Sequence, residues 1–146
     1  MTQHSKRYRT QWAAQFYAAA ELTRRGHLVS LALGNAPVVD LLVVSPSGKH
    51  FMVDVKGLSS KNCWLIRRPE AQDDLYFVLV YIAPASGSPL AYQRPDFYVL
   101  SRAQIVKELD ETKSVREAAG AFRPDFEDIR YKPILKYQNR WDVLPC

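Results

Sequence analysis

The first part of the chain carries apolar side chains at helical spacing. Trp12, Phe16 and Ala20 recur at every fourth position within residues 7–25, and this stretch contains neither glycine nor proline. Two arginines occupy the last predicted turn and a glycine follows them, which is typical of a helix C-terminus. The pattern therefore predicts a helix over 7–25 whose Trp12–Phe16 stripe faces the core.

After this helix the pattern changes to short runs of β-branched and aliphatic residues separated by turn sequences. The sequence Ser-Pro-Ser-Gly at 45–48 is a strong turn signal between two such runs and predicts a β-hairpin. The uniformly apolar run over 75–82 is typical of a central strand that is covered on both faces. The apolar runs cover residues 27–33, 38–44, 51–55, 63–66, 75–82 and 97–100.

The second half of the chain contains two predicted helical segments. Ser101 can cap a helix over 102–110, and a further segment covers 113–121. Residues 122–146 contain three prolines and scattered aromatic residues and give no clear pattern. No internal repeat or linker interrupts the chain, so we expect one domain over 1–146. The order of elements predicts an α/β or α+β fold in which helices flank a mixed sheet.

The composition of the 146-residue chain is that of a folded globular protein. Hydrophobic residues make up 47% and charged residues 24%, which excludes a disordered or fibrous protein. The longest apolar run, over 75–85, falls short of the roughly 20 residues of a membrane span. The basic N-terminus lacks the apolar segment of a secretory signal, and Cys63 and Cys146 cannot form a disulfide framework. We therefore expect a cytoplasmic location.

The excess of positive charge lies in the first half of the chain. Residues 1–68 contain ten lysines and arginines and three acids, whereas residues 69–146 contain ten lysines and arginines and twelve acids. A basic half of this kind attracts polyanions, so nucleic acid is a candidate partner. The alternative is a solvated surface that is simply basic.

Two aspartates within the predicted hairpin are the candidate chemical groups. Asp40 lies in one strand, and Asp54, followed by Lys56, lies near the end of the other. If the turn centres on Ser47, Asp40 and Asp54 face each other, with Cβ atoms about 4.5–5.5 Å apart. Carboxylates that close repel each other unless they share a divalent cation. The alternative is a structural arrangement, an Asp54–Lys56 salt bridge with Asp40 capping the loop.

The stretch over 15–57 resembles the PD-(D/E)xK nuclease superfamily, in particular the small bacterial nucleases related to Holliday-junction resolvases and intron-encoded endonucleases. Pro37 and Asp40 match the PD element, with two residues between them, and the sequence Asp-Val-Lys at 54–56 matches (D/E)xK. The preceding helix ends in Arg-Arg-Gly, as in those proteins. The resemblance implies a restriction-endonuclease-like core of αβββαβ type, with a mixed sheet flanked by helices.

The resemblance also implies a metal-dependent DNA endonuclease. Mg²⁺, or Mn²⁺, would be held by Asp40, Asp54 and the main-chain carbonyl of Val55 and would assist phosphodiester hydrolysis. Lys56 would stabilise charge at the attacking water or the phosphate. Gln15 occupies the position of a helix glutamate that is usual in this superfamily, so the site has one negative charge fewer. A catalytically weak or inactive nucleic-acid-binding module is therefore the alternative function.

Basic residues are the predicted contacts to DNA phosphates. They are Arg9, Lys61, Arg67 and Arg68. A duplex has two strands and the chain has one such motif, so we expect a homodimer to supply the second site. Aromatic residues of the second half either form that interface or complete the core of the monomer. They are Phe97, Tyr98, Phe122, Phe126, Tyr131, Tyr137 and Trp141.

Overall fold

Within the described part of the chain, a long helix precedes all of the strands. The computed structural model describes residues 2–32, 39–84 and 93–146, and of residues 3 and 4 the backbone alone. None of the described helices has the length and apolarity needed to cross a bilayer. The elements are α1 (Gln3–Arg24), β1 (Leu28–Leu31), β2 (Leu41–Val44), β3 (His50–Leu58), β4 (Cys63–Leu65), β5 (Leu75–Tyr81), β6 (Asp96–Ser101), α2 (Arg102–Ala118), β7 (Asp128–Arg130) and α3 (Tyr131–Ile134), followed by 3-10 turns at Leu135–Tyr137 and Trp141–Val143.

Five strands form one mixed sheet in the order β1-β2-β3-β5-β6, with α1 on one face and α2 on the other. Only β3 and β5 are parallel within it. This confirms the predicted fold class, a mixed α+β sheet flanked by helices. The observed order differs in one element from the predicted αβββαβ order. The predicted order has a helix between its third and fourth strands, whereas the connection from β3 to β5 contains the short strand β4, which pairs with β7.

The face of α1 that packs on the sheet differs from the prediction. Ala14, Ala18 and Leu22 are completely buried against the sheet, whereas Phe16 is 54% exposed. The predicted Trp12–Phe16 core stripe is therefore wrong. The buried stripe consists of smaller side chains at the same helical spacing.

Close contact between α1 and β3 explains this difference. A Cβ atom on Gly57 would lie 2.8 Å from the carbonyl oxygen of Thr10 and 3.0 Å from the Cβ of Ala14. The backbones therefore approach so closely that no side chain fits at position 57 and only a small one fits on the helix. Aromatic rings are accordingly excluded from this contact and lie on the outer side of α1.

The β2–β3 hairpin has the predicted register. Leu42 pairs with Met52, and Val44 pairs with His50. The turn closes through a hydrogen bond from the N–H of Gly48 to the carbonyl of Ser45. The register follows from local pattern, since a slip of one residue would turn the apolar face of the hairpin to solvent.

The hairpin ladder is shorter than predicted at its open end. Its last pair is Leu41 with Val53, and Asp40 lies just outside β2. The expected strand pair between Asp40 and Asp54 is therefore not formed, although both residues remain at this end of the hairpin. Pro37, the other half of the proposed PD element, lies outside the described residues.

The second half of the chain completes the core. Residues 102–118 form one helix, rather than two segments, and a capping box joins Ser101 and Gln104 at its start. Tyr98, Tyr137 and Trp141 are buried within the single chain. These three aromatic side chains therefore complete the core of the monomer and are not available to an interface.

Candidate functional site

The candidate site lies where β3 continues past the end of its partner strand. β2 pairs with β3 only as far as Val53, so the next backbone groups on that edge need other partners. The Asp40 carboxylate accepts the N–H of Val55 at 2.7 Å. The amide of Gln11 donates to the carbonyl of Val55 at 2.7 Å and accepts the N–H of Gly57 at 3.0 Å. Two side chains thus replace a missing strand along this edge.

Gln15 holds Asp40 from the helix side. Its amide nitrogen donates to Oδ1 of Asp40 at 3.1 Å, so Asp40 accepts N–H groups at both carboxylate oxygens. Glu21, the acid of α1, does not take part in this contact; its carboxylate binds Arg24 at 2.6 Å and Arg25 at 3.1 Å. The helix therefore presents an amide to the hairpin acids, and its carboxylate belongs to a surface ion pair.

Asp54 lies on the opposite face of β3 from α1 and is largely buried. Its carboxylate is 2.9 Å from Nζ of Lys56, and the Asp54 side chain is 17% exposed. The pKa of Asp54 is raised to about 6, chiefly by burial and also by the negative charge of Asp40, against the opposing effect of Lys56. One ammonium group therefore does not fully compensate the two carboxylates.

Both acids and Lys56 line an open cleft of about 770 Å³. Its floor includes apolar side chains of β3 and β5, and one wall comes from the segment over 67–72. The volume is in the range of small-molecule sites, but the cleft is open to solvent along one side, as a site for part of a polymer must be. The other lining residues are Val39, Met52, Pro69, Glu70, Gln72, Leu75 and Phe77.

Two of the predicted phosphate contacts, Arg67 and Arg68, belong to this wall. Arg68 is held in place by Asp110 at 2.8 Å and by Glu127 at 3.1 Å, and its backbone N–H also donates to Glu127. Arg67 is exposed, and no described acid lies within ion-pair distance of it. Arg68 thus fixes the wall and Arg67 presents a charge to the cleft.

The other two predicted phosphate contacts lie outside the cleft lining. The ammonium group of Lys61 lies over the rings of Tyr81 and Tyr131, at 5.5 and 5.9 Å from their centroids. Arg9 is exposed on α1. The structure therefore brings Arg67 and Arg68 to the acids and leaves Lys61 and Arg9 on other surfaces.

The structure contains one contact of the structural alternative, the salt bridge between Asp54 and Lys56. Asp40 accepts the N–H of Val55 within β3, and most of the loop that it was expected to cap lies outside the described residues. These contacts occur together with a cleft, an exposed arginine and a raised pKa at Asp54. A purely structural salt bridge at a strand end requires none of these three features.

Gln11 is the site residue that the sequence did not reveal. It precedes Gln15 by one helical turn, next to the alanines that pack on the sheet. The only indication in the sequence was this pair of amide side chains, one turn apart, among alanines. Buried polar side chains have to find partners, so their presence there indicates backbone groups on the facing sheet that lack a strand. The partners, Val55 and Gly57, are 44 and 46 residues away in sequence.

The donor atoms of the site fit a hard divalent cation. Among the described residues, no three histidine, cysteine, aspartate or glutamate side chains lie close enough together to hold a metal ion. Asp40 and Asp54 supply the carboxylates, and further oxygen atoms are those of the Val55 carbonyl, Gln15 and water. A set of two carboxylates with neutral oxygens suits Mg²⁺ or Mn²⁺, which retain several water ligands.

Comparison with known proteins identifies a structural neighbour but no sequence family. No family model matches the chain, and no curated protein matches it in sequence. Among solved structures, the chain is similar to a bacterial homing endonuclease, I-Ssp6803I, with a TM-score of 0.52 and 18% sequence identity. The similarity covers 92% of this chain and 87% of the other. At this identity the comparison shows the fold.

Proposed function

We propose that this protein is a metal-dependent DNA endonuclease. The observation that carries the proposal is the grouping of Asp40, Asp54 and Lys56 at the wall of an open cleft that Arg67 also lines. Two carboxylates with one lysine leave negative charge that a divalent cation neutralises, and the exposed arginine suits a phosphate. The fold shared with a homing endonuclease supports the same function.

The site residues divide the proposed work between holding a cation and holding the substrate. Asp40, Asp54 and the Val55 carbonyl would hold Mg²⁺ or Mn²⁺, with Gln15 beside them. When bound, such an ion polarises a scissile phosphate and lowers the pKa of a bound water. Lys56 supplies a compact positive charge next to the acids, where it stabilises negative charge that develops on the phosphate.

Residues around the acids supply orientation. Gln15 fixes the Asp40 carboxylate through a 3.1 Å hydrogen bond, and Gln11 fixes the edge of β3 at Val55. Arg68 anchors the cleft wall through two acids, and Arg67 is the proposed phosphate contact within the cleft. Preorganised charges of this kind contribute to catalysis because they need not reorient during the reaction.

Cleavage assays test the proposal directly. Supercoiled plasmid and branched DNA are incubated with the protein and Mg²⁺ or Mn²⁺, beside an EDTA control. We expect metal-dependent cleavage that Lys56→Ala reduces by at least about a hundredfold, as for loss of one preorganised charge. Lys49→Ala is the matched control, because Lys49 is an exposed lysine at the turn of the same hairpin.

A second candidate function is a nucleic-acid-binding module without catalysis. The observation that favours it is that amide N–H groups of Gln11 and Gln15 already bond to the Val55 carbonyl and to Asp40, two of the proposed cation ligands. Salt-dependent DNA binding without cleavage in either metal would establish this function. Absence of both binding and cleavage would leave only a structural role for the Asp54–Lys56 pair.

For cleavage of both strands of a duplex, we propose that two copies of the chain act together as a homodimer. One copy carries one pair of acids, and a two-fold axis would relate two such pairs to antiparallel strands. Sedimentation equilibrium at micromolar concentration tests this. A mass equal to one 16.7 kDa chain, combined with nicking of one strand only, would contradict the homodimer.

A further inference from the structure

Three aromatic side chains form a continuous exposed stripe on α1. Tyr8 is 61% and Phe16 54% exposed, and Trp12 between them is partly exposed. The rings of Tyr8 and Trp12 meet edge to face at 6.2 Å, and those of Trp12 and Phe16 are stacked at 5.7 Å. Single exposed apolar residues are ordinary, but three in mutual contact are not explained by folding.

The stripe lies on the flank of α1 that is turned toward Asp40. Successive helical residues are rotated by about 100°. Viewed along the helix axis, Trp12 and Gln15 are therefore both rotated in the same direction from Gln11. Gln15 is the residue that donates to Asp40. The opposite flank carries Tyr17 and faces the C-terminal segment, where the guanidinium of Arg25 lies 4.6 Å from the ring centroid of Trp141. The stripe thus lies on the side of α1 from which Gln15 reaches Asp40, at the open end of the β2–β3 ladder.

The first turns of α1 are positively charged. Lys6, Arg7 and Arg9 are exposed there, and no acid precedes Glu21 in the sequence. Glu21 itself is bound by the two arginines at the end of the helix. A second copy of the chain docked through this face about a two-fold axis would bring like charges together. A partner with negative charge and flat apolar faces is complementary to it.

We propose that Tyr8, Trp12 and Phe16 stack on the bases of an unpaired DNA strand next to the active site. This inference rests on the proposed function and specifies its substrate class: DNA with unpaired nucleotides beside the scissile phosphate. Aromatic side chains stack readily on unpaired bases, whereas paired bases within a duplex expose only their edges in the grooves. The basic residues of α1 attract the backbone of the same strand.

Binding measured without metal tests the stripe independently of cleavage. Fluorescence anisotropy in EDTA compares a labelled thymidine oligonucleotide, an abasic strand of equal length and a duplex. We expect the wild type to bind the thymidine strand about tenfold more tightly than the abasic one, and Trp12→Ala to remove that difference. Tyr17→Ala is the matched control, because Tyr17 is an exposed aromatic residue on the other flank of α1.

Two further measurements separate base stacking from charge, and sedimentation equilibrium of Trp12→Ala separates it from self-association. The slope of log K against log salt should be the same in Trp12→Ala and wild type, whereas Arg7→Ala should reduce it by about 0.7. Quenching of tryptophan fluorescence by the oligonucleotide should be lost in Trp12→Ala, since Trp64 and Trp141 are buried. Thermal unfolding checks that the variants are folded.

Three outcomes would overturn the inference. They are equal binding of thymidine and abasic strands by the wild type, an unchanged preference in folded Trp12→Ala, and a loss of oligomer mass in Trp12→Ala without change in base preference. Metal-dependent cleavage alongside any of these outcomes would leave the proposed function intact. Base-dependent binding without cleavage would support the role of the aromatic stripe and contradict the proposed endonuclease function.

Discussion

Asp40, the residue just before β2, accepts the backbone N–H of Val55 with its carboxylate at 2.7 Å. The same side chain is thus both a proposed cation ligand and the structural partner of a β3 backbone group. Asp54 has no such backbone partner among the described residues and contacts Lys56. The two acids of one site therefore have different relationships to the stability of the fold.

Substitutions at the two acids should separate stability from activity. Asp40→Ala leaves the N–H of Val55 without a partner, and we expect a loss of about 1–3 kcal/mol in unfolding free energy. Asp40→Asn keeps an acceptor oxygen and should be close to wild type in stability. Asp54→Asn should be as stable as the wild type or more so, because it removes a buried charge. Urea unfolding in EDTA measures this, and we expect all three variants to lose metal-dependent cleavage.

The stability of the metal-free protein should depend on the protonation of Asp54. Its pKa in the fold, about 6, lies above the ordinary value of 3.8, so the ionised form destabilises the fold above pH 6. This destabilisation should disappear as the pH falls through 6 towards 4. The wild type should therefore gain up to about 3 kcal/mol relative to Asp54→Asn over that interval. A stability difference independent of pH would show that Asp54 is not perturbed.

Gln15→Glu should add a negative ligand to the site. The new carboxylate would replace a donor to Asp40 with a like charge, so the metal-free variant should be less stable by about 1 kcal/mol. Mn²⁺ binding measured by calorimetry should become about tenfold tighter, since affinity rises with ligand charge. Glu21→Gln is the control, because Glu21 belongs to the surface pair with Arg24 and should not affect metal binding. Unchanged Mn²⁺ affinity in Gln15→Glu would remove residue 15 from the cation site.

Neighbouring arginines in the cleft wall should have different phenotypes. Arg67→Ala should leave the melting temperature unchanged and reduce the slope of log K against log salt for duplex DNA by about 0.9. Arg68→Ala should lower the melting temperature by several degrees, because it releases Asp110 and Glu127 from the segment over 67–72. Identical effects of the two substitutions on salt dependence and stability would contradict this division.

Gly57→Ala should disturb the site through the packing of α1. The added Cβ would lie 2.8 Å from the Thr10 carbonyl oxygen, so α1 must move away and loosen the Gln11 contacts. We expect a loss of about 1–3 kcal/mol in stability together with slower cleavage. Gly48→Ala, at a φ of +88° with open space around it, is the control. It should lower stability through backbone strain and leave the cleavage rate of the folded protein unchanged.

Local features of the sequence determined the hairpin and the grouping of its acids. The alternation of apolar residues and the Ser-Pro-Ser-Gly turn set the register, because each residue of a two-stranded ladder is placed by its near neighbours in the chain. The same pattern indicated a buried central strand over 75–82, and β5 occupies it. Fold class and the proximity of Asp40 to the Asp54–Lys56 strand follow from these local signals.

Only the tertiary structure decided which face of α1 is buried and which polar groups meet. Hydrophobicity favours burial of Trp12 and Phe16, but the approach of the helix to Gly57 leaves room only for Ala14 and its small neighbours. That distance depends on the whole sheet and is not encoded in any local pattern. Because β2 ends early, the N–H and carbonyl of Val55 have no partner strand. Asp40 and Gln11 bond to these groups from distant points of the chain, since buried backbone groups need hydrogen-bond partners.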